Sequence, residues 1–242
     1  MVSTDKCYLC GANGKLTRDH IPPKCLFPKP RPSNLFTLPC CFSCNNAASK
    51  DDEYLRLATS SLINALPVAR RSWDRVIDST IKKRRIGELI DDLRKEIKPV
   101  MLNTPAGNLS AAQFAIQAEP VNRSVVRITR GILSATHPEV DTTHLDYAVT
   151  HIDQFKLTSI KQSGISDSLP CYQLGDGVYT NWRGVANNNH GFGLMVHAFY
   201  GAAVWVVQHQ PGIGRITLFG APGWSQPLSG GSLTRDPTQV QY

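Results

Sequence analysis

Apolar residues recur at helical spacing in three stretches of the first 136 residues, which predicts amphipathic helices. The first stretch covers about residues 50–66, and Pro67 is expected to end or kink its helix. The second covers about residues 70–98 and the third about residues 121–133. Residues 99–119, with their prolines and a glycine, predict a linker followed by a short Ala-rich helix.

The third helix is predicted to carry arginines opposite its apolar face. Val125, Ile128 and Ile132 share the apolar side, and the arginines are Arg123, Arg127 and Arg130. Such a row either follows the phosphates of a nucleic acid or is an ordinary solvated face. The run Lys82–Arg85 allows the same two interpretations.

The pattern changes after about residue 150. Short runs of β-branched and aromatic residues alternate there with Gly, Asn and Pro, which predicts antiparallel strands joined by turns. We therefore expect an α+β protein with a helical region at residues 57–136 and a mainly antiparallel β region of unknown role at residues 137–242. Six histidines in the second half lack metal-ligand spacing, and we expect them to be packed or on the surface.

Residues 1–56 differ from the rest in being rich in Pro, Cys, Asn and Gly, too irregular for a core without a cross-link. Two Cys-x-x-Cys pairs predict such a cross-link, because four thiolates form a closed, structural Zn²⁺ site. The four cysteines are Cys7, Cys10, Cys41 and Cys44. Cys40 could replace Cys41 in that set.

Composition and charge bear on the compartment and the partners. No apolar run approaches the ~20 residues of a membrane span, and no signal-peptide pattern precedes Cys7, so we expect a cytoplasmic protein without a membrane partner. In a reducing compartment, clustered cysteines indicate metal rather than disulfides. The net charge is +7, with the excess of Lys and Arg confined to residues 1–136, so a polyanion is expected to meet that half.

Between the cysteine pairs lie groups suited to phosphodiester hydrolysis. Lys15–His20 should form a strand, which places the side chains of Asp19 and His20 on opposite faces. Asp19 could hold a cation while the imidazole of His20 takes a proton from water. Asn45, on a helix that begins near Phe42, could add a neutral oxygen to a Mg²⁺ site, and Asn46 is an alternative.

The order Cys-x-x-Cys, Asp-His-Ile-x-Pro, Asn-Leu-x-x-Leu, Cys-x-x-Cys-Asn resembles the HNH endonucleases, the ββα-metal or His-Me finger superfamily, over residues 7–54. The resemblance implies a small zinc-bound ββα-metal finger at residues 1–56. It implies His20 as general base, Asp19 and Asn45 as ligands of a catalytic Mg²⁺ or Mn²⁺, and Asn34 as a brace around the base. Pro39 and Cys40 lengthen the segment after Asn34 relative to the family pattern.

The resemblance also implies a hydrolase that cuts nucleic acid, with DNA favoured over RNA, in antiviral defence or a mobile element. Two alternatives stay open. One is a zinc-stapled module that binds nucleic acid or protein without cleavage. The other is a nuclease subunit that is latent until a protein partner docks on the β-rich region.

Overall fold

A computed structural model describes residues 5–62, 64–83, 97–104, 107–152, 169–186 and 189–212. The first elements are two antiparallel strands, β1 (Leu16–Ile21) and β2 (Phe36–Cys41), and β2 runs directly into helix α1 (Phe42–Ser60). The first cysteine pair lies on a turn before β1, where Gly11 has a φ of +71° that suits glycine. These elements together are called the finger below.

Helix α1 is one continuous helix where the sequence predicted two, at residues 42–48 and 50–66. No second helix begins at residue 50: Ser49 lies within α1, and its Oγ donates to the carbonyl of Asn46 (2.9 Å). The residues from Tyr54 to Ser60 are buried, so packing rather than a cap decides the extent of this helix.

Pro67 begins a helix instead of ending one. Helix α2 spans Pro67–Lys83, and proline suits a first helical position because its missing N–H would have no partner there. The remainder of the predicted helix at residues 70–98 lies largely outside the described residues, as do Arg84 and Arg85 of the basic run.

The predicted linker and short helix at residues 99–119 are wrong. Strands β3 (Lys98–Thr104) and β4 (Gly107–Gln113) pair there as an antiparallel hairpin. Most of their residues are exposed on both faces, so the alternation of apolar and polar residues that marks a half-buried strand is missing from the sequence.

Helix α3 (Ala118–Thr136) packs against the finger, chiefly its helix α1, and against a five-stranded sheet. The sheet is antiparallel throughout, in the order β5-β9-β8-β7-β6. Its strands are β5 (Leu145–Ile152), β6 (Cys171–Leu174), β7 (Tyr179–Ala186), β8 (Asn189–Phe199) and β9 (Ala203–Pro211). The predicted α+β class and the antiparallel strands of the second half are confirmed.

One cluster of buried side chains joins these parts. It includes Ile21 of the finger, Leu55 of α1, Ile128 of α3 and Tyr179 and Phe199 of the sheet. Described residues of all three predicted regions belong to this cluster, and the predicted boundary at residue 56 falls inside α1. Among the helices of the described residues, none has the length and apolarity needed to cross a bilayer.

Candidate functional site

The four predicted zinc ligands come together at the base of the finger. The Sγ atoms of Cys7, Cys10, Cys41 and Cys44 all lie within 4.8 Å of one another. A tetrahedron with metal–sulfur bonds of about 2.3 Å has edges of about 3.8 Å, and the Sγ atoms of Cys10 and Cys41 are 3.8 Å apart. The spacing and the donor set therefore fit a structural Zn²⁺.

Backbone N–H groups favour the thiolate form of Cys7, whereas burial and the neighbouring thiols raise the pKa of Cys44. The N–H of Cys44 donates to Sγ of Cys41 at the N-terminus of α1, where the helix dipole also favours negative charge. Burial works to raise the pKa of Cys7, but backbone N–H groups at Cys41, Cys10 and Leu9 outweigh it and lower that pKa to about 6. A thiolate is the form that binds zinc.

Cys40 stands apart from the four. Its Sγ lies 3.9 Å from that of Cys7, but its side chain is fully buried, and burial raises the pKa of its thiol. Adjacent residues of a strand point to opposite faces, so Cys41 points to the metal cluster and Cys40 into the core. Between the two cysteines that the sequence left open, the geometry favours Cys41 as the zinc ligand.

His20 lies near the end of β1, opposite Thr37 of β2, and is half-buried. Burial lowers the pKa of its imidazole, and the cations Lys24 and Arg31 lower it further against the opposing charge of Asp19. The ring is therefore neutral at neutral pH and able to accept a proton. Nε of Arg31 donates to the carbonyl of Lys24 (3.2 Å), which keeps these two cationic residues together beside the histidine.

Asp19 is buried on the other face of β1, with 5% of its side chain exposed, and already has two partners. The hydroxyl of Tyr8 donates to its Oδ2 (2.7 Å), and Nη1 of Arg127 from α3 donates to the same oxygen. The other terminal nitrogen of Arg127, Nη2, donates to Oδ1 of Asp52 on α1. Arg127 therefore joins two carboxylates from different elements of the finger.

Asn45 of α1 lies over the face of β1 that carries Asp19. Its Nδ2 donates to Oγ1 of Thr17 (2.9 Å), and Thr17 precedes Asp19 by two residues, which puts both on one face of the strand. Thr17 in turn donates to the carbonyl of Cys40 (2.8 Å). The amide nitrogen of Asn45 is occupied, and its oxygen is the atom that could bind a cation.

Asn34 is exposed in the loop before β2, and its carbonyl accepts a hydrogen bond from the hydroxyl of Tyr172 (3.4 Å). Among the contacts of the described residues, none joins its side chain to His20. The role of brace that the family resemblance implies for Asn34 stays a prediction. The exposed Asn46 likewise has its backbone carbonyl bonded to Ser49.

The arginine row of α3 faces the finger, and sequence reasoning missed this. Arg123 forms a two-bond pair with Asp51 (2.7 Å each), Arg127 bonds Asp19 and Asp52, and Nη2 of Arg130 donates to the carbonyl of Leu9 (2.6 Å). Arg127 and Arg130 therefore face neither free phosphate nor bulk solvent, whereas Arg123 pairs with Asp51 while about half of its side chain stays exposed. The signal in the sequence was the acidic pair Asp51–Asp52, which needs cationic partners once α1 packs.

A second group of metal-ligand types lies between α3 and the sheet, formed by His137, Glu139 and His190. Nδ1 of His190 accepts a hydrogen bond from Nη2 of Arg183 (3.0 Å). A neutral imidazole has one acceptor nitrogen, so this bond uses the lone pair that a metal would need. We therefore assign no metal to this group.

Comparison with protein-family models, with curated proteins and with solved structures gives no match for this chain.

Proposed function

We propose that this protein is a metal-dependent nuclease of the HNH type, which hydrolyses phosphodiester bonds in nucleic acid, with DNA preferred to RNA by family resemblance. The observation that carries the proposal is the arrangement of the finger. An antiparallel hairpin leads directly into a helix, four cysteines gather at its base, and His20 and Asp19 occupy opposite faces of one strand.

The chemistry of His20 supports the proposal. A general base must be unprotonated at working pH and within reach of water, and this ring is both, being half-buried with a lowered pKa. It would take the proton of a water whose oxygen forms the new bond to phosphorus as the bond to the leaving oxygen breaks. Lys24 and Arg31 would attract the phosphate to this position.

Charge and donor atoms support a cation on the other face. Asp19 and Asp52 carry two negative charges when ionised, and Arg127 offsets one of them. The bonds to Asp19 from Tyr8 and Arg127 both end on Oδ2, so Oδ1 would bind the cation, together with the oxygen of Asn45. Carboxylate and amide oxygens suit Mg²⁺ and Mn²⁺, and such a cation would offset negative charge on the phosphate and the leaving oxygen.

The first test is cleavage of plasmid DNA and of RNA in Mg²⁺ or Mn²⁺ by the full chain and by His20→Ala. Loss of a general base costs roughly 10²–10⁴-fold in rate, and we expect this loss without loss of zinc. His144→Ala, purified in the same way, is the matched control, because His144 is exposed and its only described partners are its neighbours Asp141 and Thr143. Equal cleavage by the wild type and His20→Ala would refute the proposal.

A binding module without cleavage is the second candidate, and one observation favours it. The carboxylate of Asp19 is buried and paired with Arg127, as expected for a residue that stabilises the fold. This alternative predicts nucleic-acid binding that weakens steeply with salt and no products at any concentration of divalent metal. A nuclease that is latent without a protein partner predicts instead weak cleavage that increases when the partner is added.

A further inference from the structure

We propose that Arg127 of α3 and Asp52 of α1 position Asp19 for the cation and set the charge of its site. The inference rests on the proposed nuclease function and deepens it, because it makes a helix far along the chain a working part of the metal site. Arg127 and Asp52 act through Asp19 and are positioning residues, not catalytic ones.

The geometry of Arg127 supports a positioning role. Its guanidinium is rigid and planar, with 7% of the side chain exposed, and its two terminal nitrogens each hold one carboxylate. Asp19 belongs to β1 and Asp52 to α1, so the guanidinium fixes the strand relative to the helix that also carries Asn45. Because both described donors to Asp19 end on Oδ2, Oδ1 would be left for the cation.

The position of Asp52 on α1 suits it to balance the charge of Arg127. It follows Asn45 by seven residues on α1, which places both on one side of the helix. Its charge satisfies half of Arg127, so the guanidinium is not left to neutralise Asp19 alone. Without the charge of Asp52, Arg127 would cancel that of Asp19, and the site would lose its attraction for a cation.

Two substitutions test these roles by Mn²⁺ binding to the zinc-loaded full chain, measured without nucleic acid from the electron paramagnetic resonance of free Mn²⁺. Asp52→Asn keeps the shape and removes the charge, and we expect roughly tenfold weaker Mn²⁺ binding. Arg127→Lys keeps the charge, but a lysine ammonium does not reproduce the planar two-carboxylate fork, and we expect binding to weaken by roughly fivefold or more.

The chain offers matched controls close by. Arg123 and Asp51 form a more exposed pair between the same two helices, so Arg123→Lys and Asp51→Asn make the same chemical changes outside the proposed site. We expect both to keep the Mn²⁺ affinity of the wild type within about twofold. In cleavage assays, Asp52→Asn should raise the half-saturating metal concentration more than it lowers the rate at saturating metal.

The outcomes separate this inference from the proposed function. If the wild type does not bind Mn²⁺, the cation site of the proposed nuclease is wrong. If the wild type binds Mn²⁺ and the site variants behave like their controls, the function stands and the positioning roles are overturned. Near-UV circular dichroism confirms folding of each variant. Should both site variants unfold, Tyr8→Phe decides, because it removes the other described donor to Oδ2 of Asp19 and leaves Arg127 in place. We expect its Mn²⁺ affinity to stay within about twofold of the wild type. A loss of fivefold or more would assign the positioning to Tyr8 and overturn the role of Arg127.

Discussion

The histidines of this protein differ in whether water can reach their rings. His20 is half-buried beside two cationic residues, whereas His197 is fully buried, and its ring nitrogens are 2.8 Å from the hydroxyls of Thr129 and Tyr179. Burial lowers the pKa of both rings. His20 can still meet water, but the nitrogens of His197 are occupied within the core. At the scale of single residues, access to solvent therefore separates a candidate base from a structural histidine.

The pKa of His197 predicts loss of stability in mild acid. Burial, reinforced by His209, lowers this pKa to about 3 in the folded protein, while the unfolded chain titrates near 6.5. The unfolded state therefore takes up a proton first as pH falls below 6.5, and stability present at higher pH is lost down towards pH 3. By pH 5.5 the loss from this one residue is about 1.4 kcal/mol. Burial lowers the pKa of His209 to about 4, which acts in the same direction.

Urea unfolding at pH 7.5 and pH 5.5 measures this effect. His197→Gln should be less stable at pH 7.5, because it disturbs the bonds to Thr129 and Tyr179. It should also show a smaller drop between the two pH values than the wild type. An equal drop in both proteins would show that His197 does not cause the acid sensitivity.

The elements of the finger meet at a candidate metal site at one end and at a packed contact at the other. The cysteine cluster joins the turn before β1 to the start of α1, and the buried side chain of Ile21 meets α3 at the opposite end of β1. A substitution at the cysteine cluster and one at the contact with Ile21 therefore give separate predictions.

Removal of one zinc ligand should disorder the finger. Cys44→Ser is expected to lower the zinc content from about one ion per chain to near zero, because three thiolates do not close a structural site. Atomic emission gives the metal content, and near-UV circular dichroism gives the order of the finger. Cys171→Ser is the control, since Cys171 is exposed in β6 outside the metal cluster. A full complement of zinc in Cys44→Ser would contradict the four-cysteine site.

Gly131 of α3 should resist substitution. A Cβ at this position would lie 2.7 Å from Cγ1 of Ile21, which is fully buried in the core cluster. Overpacking costs about 1–3 kcal/mol, against a gain of about 1 kcal/mol in helix propensity, so Gly131→Ala should lose about 1 kcal/mol of unfolding free energy. Gly184→Ala in β7, whose Cβ would have ordinary contacts from 3.5 Å, should change stability less. Chemical denaturation compares the two variants, and equal stabilities would refute the close contact.

At the scale of the whole molecule, local patterns in the sequence were informative and long-range partners were not. The strand with Asp19 and His20, the four-cysteine cluster, helix α3 and the antiparallel second half follow from spacing and turn residues that lie close together in the chain. The exposed β3–β4 hairpin was missed, because strands that bury neither face leave no alternating pattern.

The site predicted from the sequence lacked Arg127, for a related reason. Arg127 reaches Asp19 across 108 positions of the sequence, and its spacing along α3 is the same whether the row faces water, phosphate or carboxylates. Only the packing of α3 on the finger distinguishes these cases. A single sequence does not contain that information in any one stretch.

The reach of Arg127 limits how the finger can be used by protein engineers. On the proposed function, residues 1–60 look like a portable nuclease unit for fusion to a new targeting domain. Excised in that way, the unit would leave behind the guanidinium that faces Asp19 and Asp52 and the helix that covers Ile21. A fusion protein that keeps the site intact must therefore also include residues 118–136, which lengthens the transferred segment.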